Sequence, residues 1–306
     1  MSRYPRDLAG YGATPLDPRW PGGARLALQI VVNYEEGSEY TVLDGDDRTE
    51  VGLAETPGGR GPKGARDLAM ESMYEYGARA GIWRLLRIFD QAGIPVTFFA
   101  AAVALERNPD VAAKLARRGD EAAGHGYRWS NHFEMTRDQE REAIKLAVES
   151  IESTTGSRPV GWYCREMSTS TRELVVEEGG FEYDSDCYND DLPYWTRVLG
   201  RPHLVVPYTL VVNDARYIVG TGYGSPDDFF ATARATLDRL RADGDDAGRM
   251  MSIGTHPRIS GNPARSDALA RFIDYAQQFG DVAFLRRIDI ARQFAGQYPA
   301  SSGLTP

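Results

Sequence analysis

The run Leu26-Ala-Leu-Gln-Ile-Val-Val32 most constrains the fold. Seven residues with a single polar side chain leave no polar face, so this strand is expected to be covered on both sides, as in a parallel sheet wrapped by helices. Similar short runs recur at residues 94–101, 120–125, 159–163, 180–186, 204–212, 250–256 and 282–285. Helical signals fill the gaps between them. Tyr76, Ile82, Trp83, Leu85, Leu86 and Phe89 share one face and stop at Gly93, and a shorter helix is expected at 110–118. Thr136 and Gln139 make a capping box ahead of a buried stripe of Ile144, Ala147, Val148 and Ile151, closed by Gly156. A helix at 170–178, Ser225-Pro226 and Asn262-Pro263 as helix starts, and a last helix from Ile288 complete the alternation. The pattern predicts an α/β chain with a mainly parallel sheet. No Gly-x-Gly-x-x-Gly follows the first strand, which removes the best cue for a dinucleotide-binding open sheet. With no internal repeat and no dividing linker, the expectation is one barrel-like domain at 25–299, a Pro-, Gly- and Arg-rich arm at 1–24 and a tail at 300–306.

Charge and composition narrow the partners. Against 44 Asp and Glu stand 35 Lys and Arg, a net charge of −9 that disfavours nucleic acid and anionic membranes. No stretch approaches the roughly 18 apolar residues of a membrane helix. The N-terminus lacks the apolar centre of a secretory signal, so a cytoplasmic chain is expected. Two cysteines, Cys164 and Cys187, are too few for a disulfide framework or a Cys-based zinc site, and neither is assigned a role. The long segment 44–66, rich in Gly, Asp, Arg and Pro, is expected to be a functional loop that covers a pocket.

In folds of this kind the reacting groups sit where strands end. The first strand ends at Glu35-Glu36, the third at His125, the fourth at Arg165 and a late one at His256-Pro-Arg258. Adjacent carboxylates raise one another's pKa, which suits a general base. A histidine beside them shares the proton or binds a metal, and an arginine polarises an oxygen that gains charge. Singly, each has an ordinary explanation: a solvated loop, a hydrogen-bonded histidine, a surface charge. Their coincidence carries the reading, because the chain has only four histidines and two of them end expected strands. His132 and His203 are assigned no role.

The strings Asn33-Tyr-Glu-Glu-Gly37, Gly124-His-Gly-Tyr-Arg-Trp129, Gly161-Trp-Tyr-Cys-Arg165, Tyr183 to Trp195 and Ser252-Ile-Gly-Thr-His-Pro-Arg258 resemble the motif series of the polysaccharide deacetylase superfamily, closest to its metal-independent allantoinase branch. The arm from Tyr4 to Gly12 and Glu71-Ser-Met-Tyr-Glu-Tyr-Gly77 extend the resemblance over nearly the whole chain. It implies a distorted parallel (β/α) barrel of about seven strands and hydrolysis of a non-peptide carbon–nitrogen bond. Deacetylases carry an Asp-Asp pair, one base and one metal ligand, where Glu35 and Glu36 stand here. Their second motif has two histidines four residues apart, and here His125 is followed by Trp129. Only Glu36 and His125 remain as ligands for a divalent metal such as zinc, short of the three usual in catalysis. The expected mechanism therefore requires no cofactor. Glu35 or Glu36 acts as base with His125 as partner, Arg165 or Arg258 stabilises the oxyanion, and His256 orients the base or protonates the departing nitrogen. Trp129, Tyr163, Tyr188 and Trp195 are expected to wall the pocket, with Arg258 also meeting the substrate.

The segment Cys164 to Arg172 lacks the glycine of the allantoinase branch, which implies a changed pocket. A small cyclic ureide such as allantoin is the expected substrate. A peptidoglycan or chito-oligosaccharide deacetylase is the first alternative, and a catalytically inactive ligand-binding barrel the second. The resemblance also implies a homo-oligomer, a tetramer with the arm as a contact.

Overall fold

Strand β1 (Leu26–Tyr34) is buried along its whole length in the computed structural model, which describes residues 6–56, 64–244 and 247–300. Parallel partners lie on either side: β2 (Thr97–Ala100), β3 (Glu121–Gly124), β4 (Gly161–Trp162) and β5 (Tyr183–Asp184) in one direction, β8 (Arg249–Thr255) in the other, with β9 (Val282–Phe284) also on β1. Beyond β5 the sheet ends in a hairpin of β6 (Tyr194–Val198) and β7 (Arg201–Val205). The described sheet thus has nine strands rather than about seven. Eight of them coincide with the expected runs, β7 with the one at 204–212, and β6 is the addition. Leu199 and Gly200 both have positive φ, 50° and 77°, the backbone of a tight two-residue turn. The strand expected at 204–212 ends at Val205, after which Val206, Pro207 and Tyr208 turn into the barrel.

The helices lie outside: α1 (Leu68–Tyr76), α2 (Ile82–Ala92), α3 (Ala102–Arg107), α4 (Pro109–Arg118), α5 (Arg137–Thr155), α6 (Thr171–Glu178), α7 (Pro226–Asp243), α8 (Pro263–Ala276) and α9 (Arg287–Gln297). Both halves of the capping box before α5 form, and Gly93 and Gly156 close α2 and α5 in the left-handed region. Residues Gly77–Gly81 form a π-helical turn between α1 and α2.

The alternation of β1 sorts its side chains. Leu28, Ile30, Val32 and Tyr34 join the large apolar core beneath the helices, whereas Val31 packs with Phe99, Ala123 and Tyr208 inside the barrel. The intervening odd positions are polar and held inside: Gln29 accepts from the Arg287 guanidinium, and Asn33 donates to Tyr208 and to the Thr255 carbonyl. With a period of two, Glu35 continues the interior column and Glu36 turns toward the helices.

The described part of the arm, from Arg6, packs at the opposite end of the sheet. Trp20 is buried and donates to the Arg249 carbonyl, and Tyr11 donates to Pro193 O at 2.6 Å. Residues 1–5 of the arm, 57–63 of the long loop and 301–306 of the tail lie outside the described residues.

Candidate active site

Four expected strand-end residues converge. His125, one step past β3, meets Glu35 with Nε2 at 3.0 Å from Oε1, while its Nδ1 lies 3.0 Å from the Tyr163 carbonyl. A carbonyl only accepts, so Nδ1 carries a proton and Nε2 faces the carboxylate. His256, at the end of β8, approaches the same Oε1 at 3.6 Å. Its Nδ1 donates to Asp214 Oδ1 at 2.6 Å, and Asp214 Oδ2 accepts the backbone N–H groups of His256 and Ser260. Arg258 donates to the other Glu35 oxygen at 2.7 Å. All five groups are buried.

This arrangement sets the charges. Burial acts to raise the pKa of Glu35, but Arg258, His256 and His125 outweigh it and hold the carboxyl well below its usual range. The mutual raising expected of adjacent carboxylates does not apply to Glu35, because cations surround it. Burial likewise disfavours charge on His256, yet Asp214 and Glu35 bring it up to about 9. The site therefore pairs a carboxylate with an imidazolium across 3.6 Å.

Glu36 is a different group. Its side chain is packed under the π-helical turn, where Oε1 accepts the backbone N–H of Arg258 at 3.1 Å and lies 3.3 Å from Nη1. Burial pushes its pKa up, helped by the charge of Glu35 and opposed by Arg258. The glycines of the turn make room for it. A Cβ on Gly77 would sit 2.5 Å from Glu36 Oε1 and 2.8 Å from Arg258 N, and one on Gly81 would strike the Pro257 carbonyl. Facing away from the interior, Glu36 supports Arg258 rather than sharing the Glu35 histidines.

Trp129 is buried beside this cluster, with the Arg165 guanidinium 3.7 Å and that of Arg258 5.2 Å from its ring centroid. Arg165 pairs with Glu50 at 2.5 Å, so neither arginine is an unengaged oxyanion donor in this structure. Tyr163 stacks on His125 and Phe99 at 5.2 and 4.6 Å and shares a hydrogen bond with Tyr188, which is half exposed. These rings form one wall together with Tyr208. Trp195 does not belong to it. Its side chain projects from β6 into the arm-side cluster and donates to Tyr298 O, lining a cavity of about 940 Å³ between the arm and residues 189–192.

The donors do not fit the deacetylase metal. Glu36 points away from His125, whose Nε2 is engaged by Glu35, and an indole stands at the position of the second histidine. His132 is buried elsewhere, paired with Glu140. Among the described residues no three His, Cys, Asp or Glu side chains form a group that could hold a metal ion.

A model of the polysaccharide deacetylase family matches residues 64–181. A Schizosaccharomyces pombe protein described as a polysaccharide deacetylase is 36% identical across 96% of this chain and 98% of its own length. The chain belongs to the polysaccharide deacetylase family. Two solved structures share its entire architecture at 48% identity and a TM-score of 0.95. One is described as a polysaccharide deacetylase from Pseudomonas aeruginosa PAO1, covering 97% of this chain and 100% of that one. The other is PuuE allantoinase, covering 97% and 99%. Like its family, the chain is a hydrolase of non-peptide carbon–nitrogen bonds, and its sheet is the distorted barrel of that family.

Three site residues lay outside the sequence reading. Asp214 lies two residues past the run expected as a strand at 204–212, Glu50 sits in a loop, and Tyr208 falls within that expected strand. Each acts through a tertiary partner that no local pattern announces.

Proposed function

We propose that this protein opens a cyclic ureide of the allantoin type by activating water without a metal. The observation that carries the reading is the Glu35 carboxylate held between His125 and His256, with Trp129 where deacetylases place a metal ligand. The likeness to PuuE allantoinase over both full chains favours the ureide over a sugar polymer.

Water held by Glu35 attacks a ring carbonyl carbon and gives its proton to the Glu35–His125 pair. The carbon–nitrogen bond then breaks, and the departing nitrogen takes the proton of His256. The two transfers reinforce each other. Glu35 is a weak base while His256 is charged, and its proton affinity rises as His256 gives up its proton across 3.6 Å. Arg258 holds the second Glu35 oxygen and fixes the geometry, while Asp214 fixes the His256 tautomer. Tyr163, Tyr188 and Trp129 flank the substrate in this scheme.

The same reading places the enzyme in the cytoplasm as a homo-oligomer acting on a small molecule, with neither nucleic acid nor membrane as a partner. Among the described residues no helix is long and apolar enough to cross a membrane. The test is a substrate panel of allantoin, other cyclic ureides and N-acetylglucosamine oligomers. Ring opening of a ureide with no acetate release supports the proposal. Acetate release from the oligomers without ureide turnover refutes it.

A further inference from the structure

Residues 50–54 form a strap beside the site, tied down by both arginines that lie on Trp129. At one point Glu50, only 2% exposed, receives Nη1 and Nη2 of Arg165 at 2.5 and 3.3 Å, while its Oε1 also accepts the N–H groups of Val51 and Gly52. At the other the Leu53 carbonyl accepts Arg258 Nε at 2.8 Å, and Tyr74 donates to Gly52 O. Leu53 has φ 45°, a conformation that a leucine keeps only where its surroundings impose it. The contacts form a continuous line: Glu50 holds Arg165, Arg165 lies on Trp129, Trp129 meets Arg258, and Arg258 holds Glu35.

We propose that Glu50 is a positioning residue that sets the height of this roof and thereby restricts the site to a compact substrate. The inference rests on the ureide reading above for its substrate, but not for its structural part. A buried carboxylate with every partner satisfied carries no spare capacity for chemistry, and its partners are Arg165 and the backbone of Val51 and Gly52 rather than Glu35 or its histidines. Its removal leaves the partly buried Arg165 guanidinium, 19% exposed, without its carboxylate, which favours movement of the guanidinium off Trp129 or entry of water beneath the strap. Either change loosens the roof while leaving Glu35, His125 and His256 in place. Substrate fit is then lost before the chemical step.

The experiment compares E50Q, E50D and the double variant E50Q/R165M with the parent protein, reading kcat and KM for allantoin and hydrogen–deuterium exchange of residues 48–56. E50Q is expected to raise KM about 10-fold or more, to keep kcat within about threefold, and to speed exchange in the strap. E50D is expected to recover part of both losses, and the double variant to fall short of the sum of its parts, because no charge is left unpaired. Unchanged KM and unchanged exchange in E50Q overturn the proposal. So does a fall in kcat with KM and exchange unaltered, which would place Glu50 in the chemistry. If the parent protein does not open allantoin, the ureide reading fails, and the exchange measurement still decides whether Glu50 holds the strap.

Discussion

The Asp214–His256 pair gives the sharpest quantitative expectation. D214N keeps the shape of the side chain but removes the negative charge 2.6 Å from Nδ1. The rise of His256 from 6.5 to about 9 corresponds to about 3 kcal/mol in favour of the charged ring, and Asp214 is the first of the upward influences. If its loss returns the imidazole to about 7, the protonated fraction at pH 8.5 falls from about three-quarters to about 3%, roughly a 25-fold loss, while at pH 6.5 titration alone costs less than twofold. The assay is the pH profile of kcat/KM for ureide hydrolysis, with melting temperature as a check on folding. In the parent enzyme the alkaline limb should fall near pH 9, and in D214N it should move toward neutrality by more than one pH unit. A folded D214N whose alkaline limb stays in place would refute the assignment of His256 as the proton donor. The same group contributes to stability in a defined window. Its folded pKa lies above the unfolded value, so its contribution is complete below pH 6.5 and is lost as the pH rises through about 9.

The two carboxyl groups should separate cleanly: E35Q is expected to lose about 10²–10⁴-fold in kcat, and E36Q less than about tenfold, in steady-state kinetics. Because burial raises the Glu36 pKa, its charged form weakens the fold above the unfolded value, so chemical denaturation of E36Q near neutral pH should show little or no loss of stability. Gly81→Ala drives a methyl group onto the Pro257 carbonyl beneath the Arg258 turn, and calorimetry should show destabilisation by about 3 kcal/mol or failure to fold. Trp195→Ala removes a ring from the arm-side cluster and should lower stability by about 3 kcal/mol with kcat and KM within about twofold.

Much of this organisation was legible in the chain, and the gaps have physical causes. The apolar run at 26–32 announced a central strand covered on both sides, and capping signals at Thr136, Ser225 and Gly93 marked helix ends because those depend on neighbours in sequence. Glu35 and Glu36 could be told apart only once β1 was known to reach Tyr34, since the face of each residue follows from where the extended backbone stops. Strand β6 and the turn into β7 escape the sequence pattern because Leu199, unlike asparagine or glycine, gives no sign of the positive φ it adopts. Trp195, expected at the pocket wall as the end of the family-like string from Tyr183, is instead carried by the hairpin to the arm. Asp214 and Glu50 owe their roles to partners 42 and 115 residues away.

The central claim is that Glu35, flanked by two histidines, activates water in a site whose donors do not suit a metal. The most direct measurement is the rate of allantoin ring opening by protein stripped with a strong chelator, with residual metal quantified on the same sample and zinc added back in parallel. The account predicts an undiminished rate at well under one metal per ten chains, with no gain from zinc. A rate that falls in proportion to the metal removed and returns with zinc would contradict it.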